Sequence, residues 1–326
     1  MYPMYPYIGK KKICRELPIA FPHQHQQSQP GLEYLMDPKP IFDNPNQKGS
    51  NKLLGKVAIV TGGDSGIGRS VAVQFAKEGA DIAIVYFDEV EDAEFTKNYI
   101  RKMGRKCITI KTDLRQKENS QYAINCVINT YHKIDILVNN IAVQFLQDSI
   151  LNITEEQLLL TYQTNVFSYF YMIQATLPYL KEHSSIINTT SVTAYQGNKK
   201  LIDYSSTKGA IVTLTRSLAL SLAEKKIRVN GVAPGPIWTP LIPASYTGKE
   251  VSVYDELDAE IGTEFVGYDH LTFDSKVSAL TTEDEIVDAL SDGEKGTIIV
   301  EQTPFYATMG GQEADKGVIR TAEGEF

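Results

Sequence analysis

The stretch TGGDSGIGR, residues 61–69, decides the fold. It follows the apolar run KVAIV (56–60) and opens the helix-like segment SGIGRSVAVQFAKEG (65–79). Glycines at such a junction allow a tight turn and bring the free N–H groups of a helix N-terminus close to a bound phosphate. The spacing of the glycines alone is weak evidence, and a βα turn without a ligand is the alternative. Their position between a strand and a helix predicts a pyrophosphate-binding loop.

The rest of the first 250 residues repeats this alternation. Five more apolar runs follow, and most of them precede a helical segment: DIAIVYF (81–87), KCITIKTD (106–113), IDILVNN (134–140), SIINTT (185–190) and IRVNGVAPG (227–235). Runs that are apolar on both faces are typical of parallel strands buried between helix layers. The sequence therefore predicts an α/β doubly wound parallel sheet with right-handed crossovers, the Rossmann fold.

Composition narrows the class of protein. Cys14, Cys107 and Cys126 are too few and too scattered for a disulfide framework or a zinc site, so we expect a reducing, cytoplasmic location. No 18-residue apolar run and no signal peptide are found, which predicts no membrane association. Residues 1–253 carry a weak, dispersed positive charge, which does not favour nucleic-acid binding.

Three regions are predicted, with boundaries after residues 50 and 253. Residues 1–50 hold eight of the fourteen prolines in their first 45 positions, so we expect an extended arm without a helix or a core, lying over the body or a partner subunit. His23 and His25 in this arm are better explained as solvated polar residues than as metal ligands. Residues 51–253 form the sheet domain, and residues 254–326 carry four basic and eighteen acidic side chains.

A candidate catalytic group lies near the carboxyl end of the sheet. Tyr204 and Lys208 in YSSTK share one helix face, and Ser191 ends the preceding strand. Hydride transfer to a carbonyl needs a proton donor for the developing alkoxide. A tyrosine serves near neutrality when a cation stabilises its phenolate, which Lys208 can do, and Ser191 can hydrogen-bond to the carbonyl oxygen.

These motifs resemble a known family. TGGDSGIG, NNIA (139–142), Ser191, YSSTK and PGPIWT (234–239) occur in the order seen in the classical short-chain dehydrogenases/reductases. Over about residues 20–252 the chain resembles the bacterial general-stress-protein and glucose-dehydrogenase-like subgroup, although NNIA departs from the commoner NNAG.

The resemblance implies an oxidoreductase that moves a hydride between NAD(P) and a small alcohol or carbonyl substrate, within a homotetramer. It implies these catalytic roles: Tyr204 as general acid/base, Lys208 lowering its pKa, Ser191 orienting the carbonyl and Asn165 supporting a proton relay. It implies no metal site. Together with the loop chemistry it implies that the cofactor contacts the following residues: Gly62, Asp64, Ser65, Gly66, Ile67, Gly68, Tyr86, Asp113, Leu114, Asn140, Tyr204, Lys208, Pro234, Ile237 and Thr239. Trp238 either lines the substrate pocket or packs.

The residues after the second strand bear on the choice of cofactor. Tyr86 occupies the position of the usual ribose-binding acid, and Asp88 and Glu89 follow it without a nearby Arg or Lys. Two carboxylates would repel a 2′-phosphate. NAD is therefore favoured, with NADP possible.

The resemblance to dehydrogenases ends near Val253. The segment YDELDAEIGTEFVGYDHLTFDSKV (254–277) and TPFYATMGGQ (303–312) resemble the β-rich part of alanyl-tRNA synthetase that leads into its editing domain. That family edits with a zinc site of His and Cys ligands, and residues 254–326 hold one His and no Cys, which argues against an editing hydrolase.

Two interpretations of this tail stay open. In the favoured one the chain is a fusion that lacks the dehydrogenase's last helix and edge strand, which would leave a sheet edge open and impair the tetramer. In the other, TTEDEIVDALSDGEKGTIIVEQ (281–302) supplies a helix and a strand, and residues 297–301 pair in parallel with 227–232. The alternative to an active enzyme is therefore an impaired fusion that keeps a cofactor fold.

Overall fold

The computed structural model describes residues 24–246, 264–265, 272–281, 286–287, 289, 296–304 and 318–319. The chain divides into two compact units, Met1–Gly248 and Lys249–Phe326, and each is described by itself. The division into an arm, a dehydrogenase domain and a fragment with boundaries after residues 50 and 253 stays a prediction.

The first unit contains the predicted doubly wound sheet. Its six strands are β1 (Val57–Thr61), β2 (Asp81–Tyr86), β3 (Cys107–Lys111), β4 (Ile136–Asn139), β5 (Ser185–Thr189) and β6 (Arg228–Val232). They pair in parallel in the order β3-β2-β1-β4-β5-β6. The chain reverses its direction of winding between β1 and β4, the crevice where open α/β sheets bind ligands. The fold prediction is confirmed.

Helices connect and cover the strands. Their bounds are α1 (Gly66–Lys77), α2 (Val90–Lys102), α3 (Lys117–Tyr131), α4 (Glu155–Tyr162), α5 (Ser168–Thr176), α6 (Thr193–Gln196), α7 (Ile202–Leu222) and α8 (Leu241–Ser245). A π-helical turn, Gln163–Phe167, separates α4 from α5, and a 3-10 turn, Leu177–Tyr179, ends α5. Among the described residues, no helix combines the length and apolarity needed to cross a membrane.

The sheet is buried on both faces because successive side chains of a strand point to opposite sides. Val57 and Ile59 of β1 pack into an apolar cluster with residues of α3 and α5. Ala58 and Val60 pack into a second cluster with residues of α1 and α2. This two-sided burial explains why the strands are continuous apolar runs, and it fixes the carboxyl ends of the strands as one rigid edge.

The described part of the N-terminal arm lies over the body, one of the two expected placements, but it differs from the expectation of a chain without a helix or core. Glu33–Leu35 forms a 3-10 turn, and Met36 is 2% exposed. Phe42 packs edge-on against Phe95 and Tyr99 of α2, with ring centroids 5.9 and 5.1 Å away. The expectation weighed the many prolines and glutamines of the arm and gave too little weight to its apolar residues, which find partners on α2.

The second unit contains short strands: β7 (Glu264–Phe265), β8 (Val277–Thr281), β9 (Ile286–Val287), β10 (Thr297–Val300) and β11 (Gln302–Thr303). β10 pairs antiparallel with β8, and β8 pairs antiparallel with β9. The prediction that residues 297–301 pair in parallel with 227–232 is therefore wrong. Only 15 residues separate β8 from β10, against 64 between β6 and β10, so pairing with β8 closes a shorter loop at a smaller entropic cost.

The prediction of a helix within 281–302 is also wrong at Ile286–Val287, which is a strand. Most other residues between 282 and 295 lie outside the described part of the chain. Within the part of the chain that the structure describes, β6 stands at an edge of the six-stranded sheet. The TPFYATMGGQ segment (303–312) is described only for its first residues, Thr303 and Pro304.

Candidate active site

A cleft of about 470 Å³ lies at the carboxyl ends of the parallel strands. The residues that follow each of the six strands contribute to its lining. Most of the predicted site residues lie in this lining: Gly62, Asp64, Ser65, Gly66, Ile67, Tyr86, Asp113, Leu114, Asn140, Ser191, Tyr204, Lys208, Pro234, Ile237 and Thr239. The two others, Gly68 and Asn165, lie behind the wall and contact residues that form it.

The glycine loop after β1 has the backbone that a phosphate cradle needs. Gly62 and Gly66 have positive φ angles of 63° and 51°, a region that favours glycine. A Cβ on Gly68 would lie 1.8 Å from the carbonyl oxygen of Gly62, so only glycine lets α1 approach the loop this closely. A Cβ on Gly66 would lie 3.1 Å from Thr239 Cβ. This narrow cradle at the start of a helix fits a dinucleotide pyrophosphate.

A carboxylate from the arm reaches the same helix terminus. Glu33 is 2% exposed, and its Oε2 accepts a hydrogen bond of 2.6 Å from the Gly66 backbone N–H. Its other oxygen forms an ion pair with Arg69, whose Nη2 also donates to Asp92 Oδ1 at 3.0 Å. Burial raises the pKa of Glu33, and the charge of Arg69 opposes that rise. The arm is thereby tied to the phosphate loop, a contact that the sequence analysis missed.

Acidic side chains gather where β2 ends. Asp64 and Glu89 line the cleft beside Tyr86. Burial, reinforced by the negative charge of Glu89, raises the pKa of Asp64 above its ordinary range, and burial raises the pKa of Glu89 too. Asp88 lies outside the lining and forms an ion pair with Lys111.

A cation that was not expected from the sequence lies at this end of the cleft, which corrects the expectation that no Arg or Lys is near. Arg115 lines the cleft near Asp113, two positions further along the chain. Its guanidinium donates to both carboxylate oxygens of Asp113, at 2.9 Å to Oδ1 and 2.6 Å to Oδ2. These bonds hold the pKa of Asp113 below its ordinary value. Arg115 also lies over the ring of Phe87, 5.3 Å from its centroid.

Ser191 and Tyr204 form a hydroxyl pair inside the cleft. Both are almost fully buried, at 6% and 7% exposure. Burial raises the pKa of Tyr204, and a hydrogen bond with Ser191 opposes the rise. Ser191 Oγ also accepts from the hydroxyl of Thr193 at 3.0 Å and from its backbone N–H at 3.2 Å.

Lys208 lies one helical turn after Tyr204, in the interior of the protein. Its ammonium donates to the carbonyl oxygen of Thr189 at 3.0 Å, and it lies 5.5 Å from the ring centroid of Tyr204. No carboxylate is bonded to it among the hydrogen bonds and ion pairs of the described residues. Burial therefore lowers its pKa to about 7.

Asn165 positions a loop of the cleft. It lies in the π-helical turn and is fully buried. Its side-chain amide accepts from the Val143 N–H and donates to the Val143 carbonyl oxygen, both at 2.8 Å, and it also donates to Thr207 Oγ1 at 3.2 Å. A π-helical turn inside an α-helix is frequent at functional sites because it redirects one side chain.

The segment after β6 closes one side of the cleft. Pro234 accepts a hydrogen bond of 3.1 Å from Val192 N–H through its carbonyl oxygen, and Ile237 and Thr239 line the cavity. Trp238 does not belong to the lining; its indole N–H donates to the carbonyl oxygen of Pro38 in the arm at 2.8 Å. Of the two roles considered for Trp238, packing fits this position.

The sequence analysis missed three arm residues that line the cleft, Gln29, Pro30 and Gly31. It also missed Gln144, which is 4% exposed in the loop after β4. Gln144 follows NNIA closely, so its position after a central strand was a usable signal. No local pattern indicated the arm residues, because their contacts are distant along the chain.

Comparisons with known proteins agree with this geometry. The family model described as enoyl-(acyl carrier protein) reductase matches residues 62–264, and the model described as tRNA synthetases class II (A) matches residues 244–326. The uncharacterized oxidoreductase YhxC of Bacillus subtilis is 59% identical over 235 residues, which cover 72% of this chain and 82% of that protein.

Two further proteins are similar to the chain. The glucose and ribitol dehydrogenase of Daucus carota is 50% identical over 240 residues, covering 72% of this chain and 82% of that protein. A crystal structure of a short chain dehydrogenase from Burkholderia cenocepacia in complex with NADP superposes with a TM-score of 0.58. It is 32% identical and covers 61% of this chain and 80% of that chain.

Proposed function

The chain belongs to the short-chain dehydrogenase/reductase family of NAD(P)-dependent oxidoreductases, and we propose that it transfers a hydride between NAD(P) and a small alcohol/carbonyl pair by a Ser-Tyr-Lys mechanism. The observation that carries the proposal is the buried Ser191–Tyr204 hydroxyl pair beside Lys208, in the same cleft as the glycine cradle. A bound nicotinamide supplies or accepts the hydride at the substrate carbon.

Tyr204 transfers the proton. In the reductive direction its hydroxyl donates a proton to the carbonyl oxygen as negative charge develops there, and in the oxidative direction its phenolate accepts that proton. Ser191 already hydrogen-bonds to Tyr204, so a carbonyl oxygen that contacts one hydroxyl can contact the other.

Lys208 and Asn165 support this step. Burial raises the pKa of Tyr204, which disfavours the phenolate, and an ammonium at Lys208 favours it. The pKa of Lys208 is about 7, so the fraction of charged amine changes near neutrality. Asn165 holds the backbone of Val143 at the cleft wall, and we assign it the family's relay role because a water bound at that backbone could carry the proton onward.

We propose NAD as the preferred cofactor. Glu89 and Asp64 line the ribose end of the cleft, and the nearby Arg115 is held by both oxygens of Asp113. A 2′-phosphate would have to compete with Asp113 for the guanidinium, and the negative charge that the Asp64–Glu89 pair keeps would repel it.

Steady-state kinetics with both cofactors would test this preference. Glu89→Gln should raise kcat/KM for NADP relative to NAD by about 5- to 10-fold, since removing one partly screened like charge is worth roughly 1 kcal/mol. Glu91→Gln, at an exposed position in the first turn of α2, two residues after Glu89, is the matched control. An unchanged ratio in Glu89→Gln would contradict the assignment.

Small polyols, sugars and aldehydes are the substrates to examine first, because one relative is named a glucose and ribitol dehydrogenase. The purified chain would be assayed with ribitol and D-glucose in the oxidative direction and with short aldehydes in the reductive direction, following NADH absorbance. Turnover of at least one compound supports the proposal. Tight NADH binding without turnover of any of them would contradict it.

A catalytically impaired fusion is the second candidate, and a specific observation favours it. The last 83 residues match a synthetase model. Strand β10 pairs with β8 of the second unit, so it does not supply the edge strand next to β6 that the family's tetramer would need. Size-exclusion chromatography with an NADH fluorescence titration separates the candidates. A tetramer that binds NADH favours the enzyme, whereas aggregation without binding favours the impaired fusion. Resequencing codons 245–260 would test whether the junction is natural.

A further inference from the structure

The arm residue Gln29 is paired with the backbone of a residue at the wall of the cleft. Its side-chain amide oxygen accepts from the Gln144 N–H at 3.1 Å, and its amide nitrogen donates to the Gln144 carbonyl oxygen. The two residues are 115 positions apart. Both line the cleft, and Gln144 is 4% exposed. A side-chain amide that satisfies both polar groups of one residue fixes that residue as a strand partner would.

The neighbouring residue is held in the same way. Asn165 makes two hydrogen bonds of 2.8 Å with the backbone of Val143, and Gln29 makes its pair with the backbone of Gln144. Two side-chain amides from distant parts of the chain therefore hold two consecutive residues of the loop that leaves β4. One of them, Asn165, has a role in the proposed mechanism.

The arm also contacts the segment after β6, which lines the cleft. Gln26 donates its backbone N–H to the Pro243 carbonyl oxygen at 2.7 Å. A Cβ on Gly31 would lie 2.3 Å from the Pro240 carbonyl oxygen, so the arm backbone touches that segment directly. The segment Gln29–Gly31 thus contacts both the loop after β4 and the segment after β6, and its three residues line the cleft.

We propose that Gln29 is a positioning residue of the active site, and that Gln29–Gly31 forms a built wall of the cleft that shapes the space for the alcohol or carbonyl substrate. The proposal rests on the proposed dehydrogenase function. It assigns to the N-terminal arm a part in substrate binding, in addition to its packing on the domain.

A purely structural role of the arm is separable from this one. The arm is anchored independently of Gln29 by the buried Glu33–Arg69 ion pair and by the bonds of Asp43 to Lys77 and Tyr99. Loss of the Gln29 amide should therefore leave the arm attached and the domain folded. Only the loop after β4 should gain freedom.

The test compares Gln29→Ala with Gln27→Ala, an exposed glutamine two positions earlier in the same arm. Amide hydrogen exchange over residues 143–146, measured on the full chain, reads the positioning directly and needs no substrate. We expect exchange at Gln144 in Gln29→Ala to become about 2- to 10-fold faster, the range for one lost hydrogen bond. Gln27→Ala should match the wild type. Gln29→Glu keeps the acceptor for the Gln144 N–H and should recover part of the protection.

Kinetics supply the second readout, with the ribitol, D-glucose and aldehyde probes named above. In Gln29→Ala we expect KM for the substrate to rise by about 2- to 10-fold, with the NADH dissociation constant and the melting temperature close to those of the wild type. Equal exchange in Gln29→Ala and Gln27→Ala would overturn the proposal. So would a parallel loss of NADH affinity and melting temperature, which indicates a structural role.

The two proposals fail in different ways. If no probe is turned over, or if Tyr204→Phe stays active, the proposed function fails, and the exchange comparison still judges the positioning of Gln144. If the wild type is active and Gln29→Ala shows unchanged exchange and unchanged KM, the positioning claim fails and the dehydrogenase mechanism stands.

Discussion

Replacing Lys208 with methionine should change how the stability of the protein depends on pH. Lys208 is 1% exposed, and its ammonium has one hydrogen bond, to the Thr189 carbonyl oxygen. Burial lowers its pKa from 10.5 to about 7. Methionine has a similar length and no charge, so Lys208→Met removes the titrating group while keeping most of the packing.

The sign and size of the effect follow from linkage. Between about pH 7 and pH 10.5 the unfolded chain keeps the Lys208 proton, whereas the folded state has released it. The unfolded state therefore binds more protons in this window, and the contribution of Lys208 to stability rises with pH. From pH 7 to pH 9 the rise amounts to about 2 kcal/mol, allowing for the part of the group already neutral at pH 7.

Urea unfolding at pH 7, 8 and 9 measures this effect. The free energy of unfolding of the wild type minus that of Lys208→Met should increase by about 2 kcal/mol over the series. Lys225→Met, at an exposed position after α7, should give a constant difference from the wild type. A constant difference for Lys208→Met as well would refute the depressed pKa, and with it the view that burial governs the charge of this amine.

Two more substitutions test the phosphate loop and its surroundings. Gly68→Ala should lower NADH affinity, measured by fluorescence titration, by at least about tenfold and destabilise the fold by about 1–3 kcal/mol, because a Cβ there meets a backbone oxygen at 1.8 Å. Gly209→Ala, which has open space around it, should keep the wild-type affinity. Arg69→Met should cost about 3–5 kcal/mol in urea unfolding at pH 7, because it leaves the buried carboxylates of Glu33 and Asp92 unpaired. That cost should shrink as the pH falls and the carboxylates protonate, and a cost independent of pH would contradict the ion-pair explanation.

The features that could be predicted from the sequence are those with a local pattern. The glycine loop lies between a strand and a helix, and the apolar runs alternate with helical segments. These two patterns predicted the parallel sheet and the site at the carboxyl ends of its strands. Ser191, Tyr204 and Lys208 were brought together as expected, because each lies at a fixed distance from the end of β5 or along α7.

Contacts between distant segments could not be predicted in this way. Gln29 and Glu33 lie in a stretch whose composition suggested an extended arm over the body or a partner subunit, without indicating their contacts to Gln144 and Gly66. No periodicity within the arm indicates such partners, since the partners are defined by the folded sheet domain.

Burial and pairing add two contributions that residue types alone do not show. Burial raises the pKa of Tyr204 and so opposes the lowering expected from Lys208, which stays a prediction. The apolar run TIIV was a possible edge strand for β6, but it pairs with Val277–Thr281. In both cases the competing term, desolvation in one and a nearer strand in the other, depends on the folded environment and not on the residue types alone.

The central claim, that Tyr204 transfers the proton during hydride transfer, is tested most directly by Tyr204→Phe. The measurement is kcat for the best of the named probes, alongside the NADH dissociation constant from fluorescence. Removing a positioned acid/base should lower kcat by about 100-fold or more, while the dissociation constant stays within about twofold. Turnover close to that of the wild type, with NADH still bound, would contradict the mechanism.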